Sequence, residues 1–157
     1  MTTQRLKKHI TPQSKIGDIG EALVAKVMGC TVSDNPYDTT KDMVQNITGL
    51  TVEVKTQLRF WMKDSFTIHI SQLPKCTNVD KLVFVDYGLS GHCRLYLCNN
   101  RTNYTLYNYD TMAAFPVADM VLTADFETPR ALKMCKLTET KYKSSLNDSR
   151  LYENKRT

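Results

Sequence analysis

The sequence predicts an α/β domain: a mixed β-sheet of about five strands flanked by helices. Three observations carry this expectation. A stretch ending at Gly29 repeats its apolar residues at helical spacing. A polar turn at 46–49 joins two β-branched runs that alternate in character. Leu82-Val83-Phe84-Val85 is a continuous apolar run, as expected of a strand covered on both faces. The 157 residues suffice for one core, and 41% hydrophobic with 24% charged residues is ordinary for a globular chain. Residues 1–157 therefore read as a single domain, with basic ends at 1–11 and 138–157.

Met1 to Ile10 is polar and basic and reads as an arm. Thr11-Pro12 is a helix start, with proline at the first helical position. The helix runs to Met28, and Gly29 stops it. Ile16, Ile19, Leu23, Val24 and Val27 form its apolar stripe. Gly17 and Gly20 each cost about 1 kcal/mol of helix propensity relative to alanine, which implies close approach of the helix to the sheet. Glu21 sits one step off the stripe, where a carboxylate can reach a cleft between helix and sheet. Cys30 to Val32 fits a short strand or the entry to a loop, and Asp34-Asn35-Pro36 fits a turn.

Residues 42–57 read as an antiparallel hairpin turning at Asn46 to Gly49. Strand alternation places Val52 and Val54 toward a core and Thr51, Glu53, Lys55 and Gln57 on the other face, with about 6.5–7 Å between successive residues of one face. In the simplest register Val44 lies near Thr51 and Asp42 falls opposite Glu53. Residues so opposed have Cβ atoms roughly 4.5–5.5 Å apart. Two carboxylates that close repel unless a cation lies between them, and rigid oxygen pairs suit a hard cation such as magnesium. Asp34 and Asp38 are rival carboxylates, but Asp38 would fall opposite Gln57. The alternative is a surface ion network of Asp42, Glu53 and Lys55 worth about 0–1 kcal/mol per pair.

Beyond the hairpin, Leu58 to Lys63 interleaves aromatics with Arg59 and Lys63, which suits nucleic-acid contact or a packed loop. Phe66 to Ile70 alternates as a third strand, with His69 on its polar face. Ser71 to Asn78 is too short for a long helix and contains Pro74. Arg94 to Leu97 is a fifth strand after the Gly88–Gly91 turn. Asp110 is expected to cap a short helix to Phe115, Val117 to Leu122 fits a strand or a helical turn, and Thr128-Pro129 opens an element running to about Leu137.

The net charge of +5 is unevenly placed. Arg5, Lys7, Lys8 and Lys15 precede any acid, and residues 130–157 are strongly basic, so the middle of the chain is acidic. Basic ends around an acidic centre fit a polyanion-binding protein or simply solvated tails. With no apolar leader and no membrane-length apolar run, the expected location is cytoplasmic, with no membrane partner. The five cysteines have no framework spacing and are expected to be free thiols. His92-Cys93 with Cys98 is a poor zinc candidate, since a second close pair is missing.

Asp42 followed by Glu53-Val54-Lys55 resembles the D…(D/E)-x-K signature of the PD-(D/E)XK nuclease superfamily, which includes restriction endonucleases, archaeal-type Holliday junction resolvases and phage nucleases. Lys41, not proline, precedes the aspartate. The resemblance spans roughly residues 14 to 87. It implies a restriction-endonuclease-like sheet and a metal-dependent endonuclease that hydrolyses phosphodiester bonds in DNA, with Mg2+ as cofactor and Mn2+ able to substitute. Asp42 and Glu53 would bind the metal directly, with the Val54 carbonyl as a third oxygen. The Gly17 to Glu21 run resembles the first helix of these nucleases, so Glu21 would hold a metal-bound water or a second ion. Lys55 would contact the attacking water or the scissile phosphate. Its unperturbed pKa of about 10.4 makes charge stabilisation the safer role. Gln57 would orient substrate or lysine. Lys7, Lys8, Arg59, Lys63, Lys141 and Lys143 are the expected nucleic-acid contacts. A compact chain without a separate recognition domain favours structure-directed cutting of branched DNA, by a homodimer where two cuts need two sites. A sequence-directed restriction-like or nicking enzyme, a non-catalytic binding protein of the same fold and an RNA-cutting enzyme are the alternatives.

Overall fold

The structure is a computed structural model that describes residues 12–33, 42–57, 64–87 and 91–135. Helix α1 spans Pro12–Met28. Gly29 ends it at φ 66°, a left-handed conformation that glycine adopts without a Cβ clash. Ile16, Ile19, Leu23 and Val24 are buried, and Val27 packs at the margin. A Cβ at Gly20 would lie 1.8 Å from Thr56 Oγ1, so that glycine is what lets the helix approach the sheet. Gly17 has nothing within 4 Å of the same position, and the close-approach expectation fails there.

In chain order the next elements are β1 (Cys30–Val32), β2 (Met43–Gln45), β3 (Thr51–Gln57) and β4 (Ser65–His69). A 3-10 turn at Ile70–Gln72 leads into the short helix α2 (Leu73–Asn78). Then come β5 (Lys81–Tyr87), β6 (His92–Cys98), β7 (Thr105–Tyr107) and β8 (Met112–Pro116). After a 3-10 turn at Val117–Asp119, β9 (Met120–Glu127) and α3 (Thr128–Met134) complete the described chain.

The expected mixed sheet is present, with six strands in the order β1-β2-β3-β5-β6-β9. Its ladders are antiparallel except β3 with β5, which is parallel. A parallel pair needs a crossover, and the chain makes it through β4 and α2. The third strand expected from Phe66 to Ile70 forms as β4 but leaves this sheet. It joins a second, three-stranded sheet ordered β4-β8-β7.

The short helix expected from Asp110 is absent. Asn108, Tyr109 and Asp110 take φ of 54°, 55° and 61°, which folds β7 tightly back onto β8. Residues 112–116 then pair with β4 on one side and β7 on the other, and Ala113, Ala114 and Phe115 are buried. Tertiary pairing overrides the local helix signal.

The sheets and helices make layers. On one face of the large sheet, α1 and the Ala131-Leu132 edge of α3 pack on Val52, Val54, Val83 and Val85. On the other face, Leu82, Phe84 and Cys98 meet Phe66, Ile68 and Phe115 of the small sheet and Cys76 of α2. Phe84 lies at the centre of this second interior, 4.8 Å from Phe66 and 5.5 Å from Phe115 between ring centroids. Strand β5 is thus covered on both sides, as its unbroken apolar run requires. No helix among the described residues is long and apolar enough to cross a membrane, and all five cysteines are free.

Candidate functional site

Register decides the site. Met43 pairs with Val52 and Val44 with Thr51, so Asp42, one residue before β2, falls opposite Glu53. The Asp42 backbone N–H donates to the Val52 carbonyl at 3.1 Å. Its side chain then continues the ladder, with Oδ2 accepting from the Val54 N–H at 2.9 Å. That bond fixes the carboxylate and leaves Oδ1 directed to the site.

Glu53 alternates with Val52 and Val54, so it faces away from α1. An isolated hairpin would turn that face to water. Here α2 and the small sheet cover it, and the Glu53 side chain is 0% exposed. Lys55 Nζ lies 2.9 Å from Glu53 Oε2, and Lys75 Nζ of α2 lies 3.3 Å from Glu53 Oε1. Both carboxylate oxygens are buried, each with a lysine ammonium beside it. Lys75 Nζ also donates to Asp42 Oδ1 at 2.9 Å, so one ammonium bridges the two carboxylates. Lys55 is held from its other side by Gln72 Oε1 at 2.8 Å.

The electrostatics follow from this packing. Burial and the neighbouring Asp42 carboxylate push the Glu53 carboxyl up to about 7, outweighing the two lysines. Burial pulls the Lys75 ammonium down, but the Asp42 and Glu53 charges more than offset it and hold Lys75 above the ordinary lysine value. Cys76, next on α2, is pushed up to about 12 by burial and stays a protonated thiol, which is no nucleophile.

Of the residues expected at the site, Asp42, Glu53 and Lys55 converge. Gln57 is on the same face but is engaged elsewhere. Its Oε1 accepts from the Thr67 N–H at 3.0 Å and its Nε2 donates to the Ser65 carbonyl at 3.4 Å, so it docks β4 against β3. Glu21 is half-buried on α1, which packs on the valine face, opposite to Glu53. Among the described residues no group of three or more His, Cys, Asp or Glu side chains is placed to hold a metal ion. The pair Asp42 and Glu53 is thus the acidic core of the site. His69 is exposed, and its Nδ1 accepts from the Ser71 N–H, capping the 3-10 turn. The rivals Asp34 and Asp38, and the expected nucleic-acid contacts Lys7, Lys8, Arg59, Lys63, Lys141 and Lys143, lie outside the described residues.

Two residues of the site, Lys75 and Gln72, were not legible in the sequence. They come from a short segment with no periodicity, carried to β3 by the crossover. The one available signal was a charge balance: two opposed carboxylates need more than Lys55.

Comparison with models of known protein families finds no match. Comparisons with curated proteins and with solved structures also find none.

Proposed function

We propose that this chain is a metal-dependent endonuclease of the PD-(D/E)XK type, hydrolysing phosphodiester bonds in DNA, with branched molecules such as Holliday junctions as its substrates. The observation that carries the reading is the placement of Asp42 Oδ1 beside a fully buried Glu53, the two carboxylates sharing one cationic group between them. Carboxylates kept this way suit a cation. Magnesium is usually held by one or two carboxylates, with water and substrate phosphate completing its shell, so two acids are a sufficient protein contribution. The mixed α/β sheet agrees with the restriction-endonuclease-like fold that the motif implies.

A divalent ion bound there would supply Lewis-acid polarisation of the phosphoryl group and an activated water. The chain's own residues do the rest. Asp42 is fixed by the Val54 N–H and Glu53 by burial, so neither carboxylate needs to reorganise. Lys55, held by Gln72, presents a positive charge for the developing charge on phosphate. The Val54 carbonyl is a further candidate for the ion's shell, whereas Glu21, on the valine side of the sheet, is left out of it; Mn2+ should substitute for Mg2+, and homodimers suit paired cuts.

The test is nicking of supercoiled plasmid with Mg2+ or Mn2+, abolished in Glu53→Ala. Cleavage of a four-way junction in preference to linear duplex, single-stranded DNA and RNA supports structure-directed cutting, and the opposite preference supports a restriction-like enzyme. A second reading, a nucleic-acid-binding protein that does not cut, is favoured by the two lysines already neutralising the carboxylates. DNA binding without cutting in either metal would establish it.

A further inference from the structure

We infer that Lys75 is a resident counter-cation for the Asp42–Glu53 pair, and that a divalent ion must displace it to bind. The inference rests on the metal-dependent reading and adds a competitor built into the fold. The Lys75 ammonium is 2.9 Å from Asp42 Oδ1 and 3.3 Å from Glu53 Oε1. It therefore occupies the point between two opposed carboxylates where a hard cation would be attracted. Asp42 Oδ2 is committed to the Val54 N–H, so Oδ1, the oxygen Lys75 takes, is the one left to offer an ion. A compact ammonium with three donors is the closest side-chain substitute for a small hydrated cation. It cannot remain there beside a divalent ion, because the repulsion at such distances is large in a water-poor site.

The two lysines of the site differ in what they can do when an ion arrives. Lys55 keeps Gln72 as a partner and lies on a central strand. Lys75 lies on a helix of six residues that has no side-chain cap bond, and the partners its ammonium touches are the two carboxylates themselves. Lys75 is therefore the one able to withdraw, and Lys55 the one that stays. In the metal-free protein Lys75 offsets the repulsion between the carboxylates, so it favours the fold and opposes the ion.

The experiment is calorimetric titration of the full chain with Mn2+, together with the shift of its thermal midpoint at saturating Mn2+. The proteins are wild type, Lys75→Met, Lys75→Gln, Lys75→Arg and, as a control for net charge, the exposed Lys133→Met. Lys75→Met should bind Mn2+ about tenfold more tightly or better, which corresponds to about 1.4 kcal/mol, and should gain more in midpoint from the metal than wild type does. Lys75→Gln carries the same expectation if the methionine variant does not fold. Lys75→Arg should bind no more tightly than wild type, and Lys133→Met should match wild type. Equal or weaker binding by the neutral Lys75 variants, while wild type binds Mn2+ and cuts DNA, overturns the displacement and leaves the nuclease reading standing. Tighter binding in Lys75→Arg or Lys133→Met overturns it as well. No Mn2+ binding by any of the proteins ends both readings.

Discussion

On one face of β3, Val52, Val54 and Thr56 pack under α1; on the other, Glu53, Lys55 and Gln57 lie under α2 and β4. Both faces are interior, but they are filled by opposite chemistry. Burying a valine-sized side chain contributes about 1.5–3 kcal/mol. Burying charge costs several kcal/mol per ion before pairing recovers it, and apolar replacement of buried ion pairs is often neutral or stabilising. The valine face is explained by folding alone. The charged face is not, and a carboxyl shifted strongly by burial and a like charge is what functional sites are built from.

The comparison can be broken most directly at Glu53. Glu53→Gln, which keeps the side-chain volume, should reduce metal-dependent cleavage by at least about 10²–10³-fold, while circular dichroism stays close to wild type. Lys75 keeps Asp42 and Lys55 keeps Gln72 in that variant. If the variant unfolds while any cleavage it retains is proportional to its folded fraction, the charged face is structural. Across the sheet, Leu23→Ala should show the reverse pattern. A loss of about 2–5 kcal/mol in urea unfolding is expected from the cavity, with the activity per folded molecule unchanged.

Dependence on pH sharpens the contrast further. The Glu53 carboxyl is raised from 4.5 in the unfolded chain to about 7 in the folded one. The folded state therefore binds the extra proton between those values, and linkage makes stability fall as pH rises through that window. The contribution is complete below the lower value and is lost above the upper one, at most about 3 kcal/mol in size. Urea midpoints of wild type relative to Glu53→Gln should thus decline from about pH 4.5 to about pH 8. A flat difference would mean that the two lysines keep Glu53 ionised throughout, as in a fully satisfied ion network.

The smallest effects separate the two helix glycines. Gly20→Ala drives a methyl into Thr56 and should cost about 1–3 kcal/mol. Gly17→Ala meets open space and should stabilise by about 1 kcal/mol. Similar values for the two would mean that α1 does not approach β3 through Gly20.

Much of this architecture was legible because it follows from short-range rules. The stripe of Ile16, Ile19, Leu23 and Val24 marks a helix, and Gly29 marks its end. The turn at 46–49 fixes the β2–β3 register, and that register alone sets Asp42 against Glu53. The apolar run of β5 marks a strand covered twice. The failures were of another kind. Residues 112–115 carry a helix signal but are claimed by strands on both sides. Gln57 looked like a site residue, yet its amide is taken by the backbone of β4. Gly17 and Gly20 look alike in sequence, and only Gly20 meets the sheet.

By itself, then, the sequence determined alternation, register and the pairing of two carboxylates, because these depend on neighbours a few residues away and on a period of two. Tertiary structure alone decided that Glu53 would be dry, that Lys75 and Gln72 would reach it and that its carboxyl would titrate near 7. Those properties belong to a face only once something covers it. The cover here is a crossover and a second sheet whose residues are remote in the chain from the carboxylates they enclose.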